Sequence, residues 1–226
     1  MTIRVLVVDD QPLIRGGLLA LLAAAPGFEA VGEAADGEDA VRLAAELRPD
    51  VVLMDIRMPG TDGVEATRRI LAGPQPPDSV KVVVLTTFDL DDYVVAALGA
   101  GAAGFLLKDT PPAQILTALQ LAAADQVLIA PTVTRRLVES YADRHAGQRG
   151  APQSLDALTV RETEVLQLVG NGLSNEEIAT RLVLSESTVK THVKRVMSKL
   201  GLASRAQGVV VAYESGLVVP GGRTTG

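Results

Sequence analysis

Three carboxylates, a hydroxyl and an ammonium close apolar runs in the first half of this 226-residue chain. Asp9 and Asp10 end the run that begins at Ile3, Asp55 ends the one from Val51, Thr86 the one from Val80, and Lys108 the one from Ala103. Brought together, three like charges repel unless a cation holds them or some are protonated. A hard divalent ion with oxygen ligands resolves the repulsion, and Mg²⁺ suits one or two carboxylates plus several waters. An aspartate whose charge is offset by such an ion can attack a phosphoryl group and become an aspartyl phosphate. The Lys108 ammonium and the Thr86 hydroxyl would then meet the added oxygens, the lysine as a point charge. One Asp at a strand end is ordinary loop chemistry; five complementary groups at four strand ends are not.

The second half offers different chemistry. Thr188 to Arg205 holds Lys190, Lys194, Arg195, Lys199 and Arg205 with no acidic residue. In the segment Glu186–Leu200, Val189, Val193, Val196 or Met197, and Leu200 recur at helical spacing and face a core. Lys190, Thr191, Lys194 and Ser198 fall on the other side, flanked by Arg195. Such a helix fits the DNA major groove, where Lys reads guanine acceptors and Thr meets base edges or methyl groups. Ser185, Ser187 and the helix N-terminus suit phosphate oxygens. The bland alternative is the solvated basic face of an amphipathic helix, and the helix alone does not decide between them.

The elements that must position these groups are legible. Five runs rich in Val, Leu and Ile, at Ile3–Asp9, Ala30–Ala35, Val51–Ile56, Val80–Thr87 and Ala103–Lys108, read as strands buried on both faces. Helix-period segments at Pro12–Ala25, Glu38–Leu47, Gly63–Leu71, Leu90–Gly99 and Pro112–Ala124 follow them. Alternating strands and helices imply a flavodoxin-like, doubly wound α/β sheet of order 2-1-3-4-5. In that order strands 1 and 3 are neighbours, so Asp9, Asp10 and Asp55 converge at the switch point where such sheets bind ligands.

Residues 126–154 read as a linker, with one helix at 131–142 and a polar stretch from Arg144 to Ser154. Beyond it the periodicity is purely helical. Thr159 with Glu162, and Ser174 with Glu177, form capping boxes for helices ending at Val169 and Leu182. A turn through Val183 and Leu184 leads to Ser185, the N-cap of a helix to Leu200, with Gly201 as its stop. Ser204 caps a last helix ending near Gly216. The expected organisation is an α/β domain over 1–125, the linker, a small all-α domain over 155–217, and a flexible tail over 218–226.

Composition narrows the function classes. Residues 1–125 carry nine basic and eighteen acidic side chains, a balance of −9, whereas 126–226 balance at +3. An acidic half joined to a locally basic one suggests two jobs, one of them on a polyanion. The absence of Cys excludes disulfides, thiolate zinc sites and Cys nucleophiles. Apolar runs stop short of a membrane span, and no signal peptide is read, so a cytoplasmic protein without membrane partners is expected.

Residues 3–124 resemble the receiver domain of bacterial two-component response regulators. The resemblance rests on Val7-Val8-Asp9-Asp10, on Asp55 through Gly63, on Thr86, and on Gly104-Phe105-Leu106-Leu107-Lys108-Asp109. It implies that Asp55 is the phosphoacceptor, and that Asp10, Asp55 and the backbone carbonyl of Arg57 bind Mg²⁺ directly, with Asp9 reaching the ion through water. Thr86 and Lys108 would be the switch pair. Phe105 stands where the family carries an aromatic switch, usually Tyr, and lacks its hydroxyl. Asp109 replaces the Pro common after that Lys.

Leu158 to Leu166, Gly172 to Ala179 and Leu184 to Val193 resemble the LuxR-type helix-turn-helix over about 155–217. By that resemblance Lys190, Thr191 and Lys194 occupy base-contacting positions, and the helix near Ala206–Glu214 dimerises. Val209, Val210 and Val211 are then either dimer contacts or core, and His192 packs or contacts phosphate. Together the two halves resemble a NarL/FixJ-type response regulator. Its expected partners are a sensor histidine kinase, double-stranded promoter DNA and a second copy of the chain when phosphorylated. A phosphoaspartate enzyme is the rival, but such enzymes place the nucleophile in a D-x-D after strand 1, where this chain has Asp9-Asp10-Gln11. An RNA-binding output lacks stacking aromatics near the basic helix. Arg57 and Phe88 are placed to overhang an acyl phosphate and slow its hydrolysis; the alternative is that Phe88 packs under the following helix and Arg57 points to solvent.

Overall fold

Val, Leu and Ile dominate the strands because parallel strands are covered on both faces. The computed structural model describes residues 2–73, 80–86, 96–124, 155–202 and 204–218. Two compact units divide the chain, residues 1–128 and 129–226.

In the first unit the elements are β1 (Ile3–Val8), α1 (Pro12–Ala24), β2 (Phe28–Ala34), α2 (Gly37–Leu47) and β3 (Val51–Asp55). They continue with α3 (Gly63–Leu71), β4 (Lys81–Thr86), β5 (Gly104–Leu107) and α4 (Pro112–Ala123). Residues 96–99, from the helix expected at Leu90–Gly99, are helical. The five strands form one parallel sheet of order β2-β1-β3-β4-β5, as the alternating pattern implied.

Every residue of β3 is buried. Val5, Val7, Leu53 and Leu85 form one core with Leu18 and Leu22 of α1 and Ile115 and Leu119 of α4. The opposite pleat, including Leu6, Val52, Met54 and Val84, is buried too, and α2 and α3 pack against β2, β1 and β3 and against each other. Most element boundaries fall within a residue or two of the pattern, and two of the differences have a visible cause. β2 starts at Phe28, not Ala30, because Ile3 N–H bonds the Gly27 carbonyl at 2.8 Å and the β1–β2 register extends to Ile3 opposite Phe28. α2 opens one residue earlier, with Asp36 accepting from Asp39 N–H as its N-cap.

The second unit contains α5 (Val160–Gly170), α6 (Asn175–Leu182), α7 (Glu186–Leu200) and α8 (Arg205–Glu214). Both capping boxes form as the sequence suggested, and Ser185 and Ser204 cap α7 and α8. Gly201 ends α7 at φ +65 and Val183 ends α6 at φ +53. Val165, Val169, Ile178, Val189 and Val209 make one core cluster; Leu166, Val196, Val211 and Val218 make another. Val209 and Val211 are therefore core, while Val210 is half-buried. Val218, placed at the head of the tail, is buried as well. The linker with the helix expected at 131–142, Phe88, His145 and the tail from 219 lie outside the described residues.

Candidate functional site

Strand register brings the polar ends together. β1 lies beside β3 with Val8 opposite Met54, so Asp9 and Asp55 emerge side by side. β4 lies beside β5, and Lys108 N–H bonds the Thr86 carbonyl at 2.8 Å. Gly63 lets α3 begin directly behind β3: a Cβ there would stand 2.0 Å from the Asp55 carbonyl oxygen. Its own N–H bonds Ile56 O at 2.9 Å, and Asp62 caps the helix by accepting from Glu65 N–H.

At the crevice, one carboxylate oxygen from each of Asp9, Asp10 and Asp55 lies within 4.8 Å of the other two. Asp9 is fully buried and Asp55 is 3% exposed. Lys108 Nζ stands 2.8 Å from Asp9 Oδ2 and 2.7 Å from Asp55 Oδ2. Arg57 N–H approaches Asp55 Oδ1 at 3.4 Å. Burial pushes the Asp55 carboxyl above its ordinary value, against the hydrogen bond and charge of Lys108 and with the help of Asp9. Burial alone would pull the Lys108 ammonium down; its bonds and attraction to the two carboxylates outweigh that and raise it. Thr86 and Phe105 are both buried; Arg57 is exposed.

One oxygen does not fit a finished internal network. Asp10 Oδ1 is buried with no hydrogen-bond partner among the described residues. A buried acceptor without a donor is costly. A pocket of three carboxylates with a free acceptor oxygen suits a hard divalent ion.

On α7, Lys190, Thr191, Lys194, Arg195 and Ser198 are all exposed. Lys190 pairs with Glu186 at 2.9 Å along the helix, an exposed pair that DNA can displace at little cost. Thr191 Oγ1 donates to Ser187 O. Ser185 Oγ accepts from Thr188 N–H and lies 2.9 Å from Ser187 Oγ. The basic stripe is shorter than the sequence implied. Lys199 Nζ donates to Glu162 Oε2 at 2.6 Å, and the half-buried Arg205 donates to Asn175 Oδ1 and Leu173 O. Burial lowers the Arg205 guanidinium to about 10.

The model of the response regulator receiver domain matches residues 5–120, and that of bacterial regulatory proteins of the luxR family matches 156–212. This is a response regulator of the NarL/LuxR family. The transcriptional regulatory protein YxjL of Bacillus subtilis (strain 168) is 43% identical over 216 residues, covering 96% of this chain and 97% of the relative. LiaR of the same organism is 41% identical over 216 residues, with 96% and 99% covered. The crystal structure of response regulator ChrA, from a heme-sensing two-component system, matches at 36% identity and TM-score 0.51 over 96% and 99% of the two chains. The response regulator thus joins a receiver to a LuxR-type DNA-binding transcription-regulator domain, and its family is not an enzyme family. Among the described residues no helix is long and apolar enough to cross a membrane.

Several groups around these sites escaped the sequence reading. Arg15 Nη1 donates to the Asp9 carbonyl at 2.8 Å while Nε pairs with Glu33 at 2.7 Å, steadying the end of β1. Glu38 accepts from Thr61 Oγ1 at 2.8 Å and from both Arg69 nitrogens, holding the β3–α3 loop against α2. Those hydrogen bonds hold the Glu38 carboxyl at about 2. Apart from Arg15 and Asp9, six residues apart, the partners are 18 to 31 residues apart, and no helical or strand spacing signals them. His192 Nδ1 is buried without a partner among the described residues, which agrees with packing beside the apolar stripe.

Proposed function

We propose that this response regulator accepts a phosphoryl group on Asp55 from a sensor histidine kinase in the cytoplasm, changes conformation and oligomeric state, and binds promoter DNA through α7. The observation that carries the reading is the buried Asp55 carboxylate, with Lys108 Nζ at 2.7 Å and two more carboxylates within 4.8 Å. Asp10, Asp55 and the Arg57 carbonyl would hold Mg²⁺, with Asp9 reaching it through water; the orphaned Asp10 oxygen supports this. Bound there, the ion would supply positive charge for the phosphoryl oxygens and the attacking carboxylate.

An Asp55 carboxylate oxygen forms the new O–P bond as the donor's P–N bond breaks, and the departing imidazole keeps the electron pair. Lys108 then leaves Asp55 Oδ2 for a phosphoryl oxygen, and the Thr86 hydroxyl turns to another. Phe105, buried on β5, follows the space that Thr86 vacates, and this two-state shift is what phosphate biases. Arg57 overhangs the acyl phosphate and slows its hydrolysis. Lys190, Thr191 and Lys194 contact bases, and Ser185, Ser187 and Arg195 contact phosphates. Readout by one short helix is limited, and pairing of two chains on two half-sites extends it.

Incubation with a small phosphodonor and Mg²⁺ tests the assignment: one phosphoryl group on the natural chain and none on Asp55→Asn. Equal labelling of both would sink it. Sedimentation with and without a phosphate mimic tests the pairing, and an unchanged mass would remove dimerisation from the account.

A further inference from the structure

Two consecutive residues on the first turn of α5 reach the turn before α7 and the far end of α7. Arg161 Nη2 donates to the Leu182 carbonyl at 2.9 Å, at the last residue of α6. The next residue, Val183, is in the left-handed conformation, and the one after Leu184 is Ser185, the N-cap of α7. Arg161 therefore grips the turn from which α7 departs. Its other nitrogen bonds Glu164 at 2.7 Å, which fixes the guanidinium in place.

Glu162 grips the opposite end. Its residue is 3% exposed, and Oε2 gathers Thr159 N–H at 2.8 Å, Thr159 Oγ1 at 3.0 Å and Lys199 Nζ at 2.6 Å. Lys199 sits in the last turn of α7. The carboxylate that closes the α5 capping box is thus also the counter-charge for the far end of α7.

We propose that Arg161 and Glu162 are positioning residues for sequence readout, and that Lys199 serves Glu162 and not a DNA phosphate. The inference rests on the DNA-binding reading of α7. The lever explains why orientation matters. Lys190 lies nine residues before Lys199, about 13 Å along the axis at 1.5 Å per residue. A swing of about 10° about the Lys199 end moves Lys190 by about 2 Å, more than the spread of good hydrogen-bond distances. Base contacts would be lost, whereas flexible lysines would still reach phosphates, which carry no sequence information. Loosening either grip should therefore reduce discrimination between sequences more than it reduces general attraction to DNA.

The test uses the full chain, phosphorylated with a small phosphodonor and Mg²⁺, and two duplexes: the tightest one selected by the natural chain in that state from a random-sequence library, and alternating poly(dI-dC). Affinities are measured for both from 50 to 300 mM KCl, on the order of the range over which counterion release is read. Lys199→Met and Arg161→Met should each cut the selected-to-alternating affinity ratio about tenfold. The salt slope on the alternating duplex should stay unchanged, and Lys199→Arg should restore the ratio. Glu162→Gln keeps an acceptor for the Thr159 cap and should resemble Lys199→Met, which covers the case in which the lysine variant does not fold. A slope reduced by about 0.9 in Lys199→Met with the ratio intact would make Lys199 a phosphate contact and overturn the proposal. Variants that melt earlier but keep the natural ratio would overturn it too, leaving a role in stability only. A natural chain that selects no duplex would instead remove the DNA-binding reading, and this inference with it.

Discussion

Replacing Asp55 by Asn should stabilise the receiver unit when no divalent ion is present. With an effective dielectric constant of about 20, Lys108 at 2.7 Å attracts the Asp55 charge by about 6 kcal/mol. Asp9, within 4.8 Å, repels it by at least about 3.5 kcal/mol on the same scale. The surplus of attraction, about 2.5 kcal/mol, falls short of the several kcal/mol that burying a carboxylate costs. That is the sense of the raised Asp55 pKa, whose first cause is burial. Asn keeps the shape and one acceptor for Lys108, so the variant should gain about 2 kcal/mol. Hydrogen exchange of β1 and β3 amides over a urea series in EDTA reads this unit separately from the helical one. Because the folded pKa lies above the unfolded 3.8, the penalty is fully present above the folded value and fades as pH falls towards 3.8. The advantage of Asn should shrink over that window. Added Mg²⁺ should close the gap from the other side, stabilising the natural chain by about 2.7 kcal/mol at one hundred times its Kd and the variant by less. If Asp55→Asn destabilises the unit in EDTA by 1 kcal/mol or more, on the order of one ordinary hydrogen bond, the electrostatic account of the crevice is refuted.

Gly63→Ala should cost the receiver about 3 kcal/mol or more in urea unfolding, because its Cβ would stand 2.0 Å from backbone at Asp55; an unchanged midpoint would mean that α3 does not begin against β3. Val183→Asn should stabilise the helical unit by about 1 kcal/mol, since the valine is 90% exposed and β-branched at φ +53; calorimetry of the full chain checks it. Thr159→Ala should destabilise the same unit by about 1–2 kcal/mol through loss of the capping box. Glu162 is held at about 2 by Lys199 and Thr159, so the helical unit should lose stability as pH falls from the ordinary 4.5 towards 2. Lys199→Met should flatten that profile, as measured by circular dichroism against pH.

Much of this protein is determined by local sequence. The five apolar runs and the helix periods between them dictate a parallel α/β sheet, because only covered strands tolerate such continuous burial. Once the order β2-β1-β3-β4-β5 follows, Asp9, Asp10, Asp55, Thr86 and Lys108 must meet at one rim. Thr159–Glu162, Ser174–Glu177 and Ser185 announce their helices because a capping side chain and the N–H it satisfies are only two or three residues apart.

Tertiary structure alone decided which charges remain available. Lys199 and Arg205 look in sequence like members of the basic stripe, yet one neutralises Glu162 and the other is bonded to Asn175 and Leu173. The same holds for Arg15 on the Asp9 carbonyl and for Glu38 between Thr61 and Arg69. Whether Val209 and Val211 were core or dimer surface was equally a question for packing, which buries both. A long charged side chain reaches several ångströms in any direction, so its partner is set by which helix lies across from it, and that placement is a property of the folded unit, not of residue spacing.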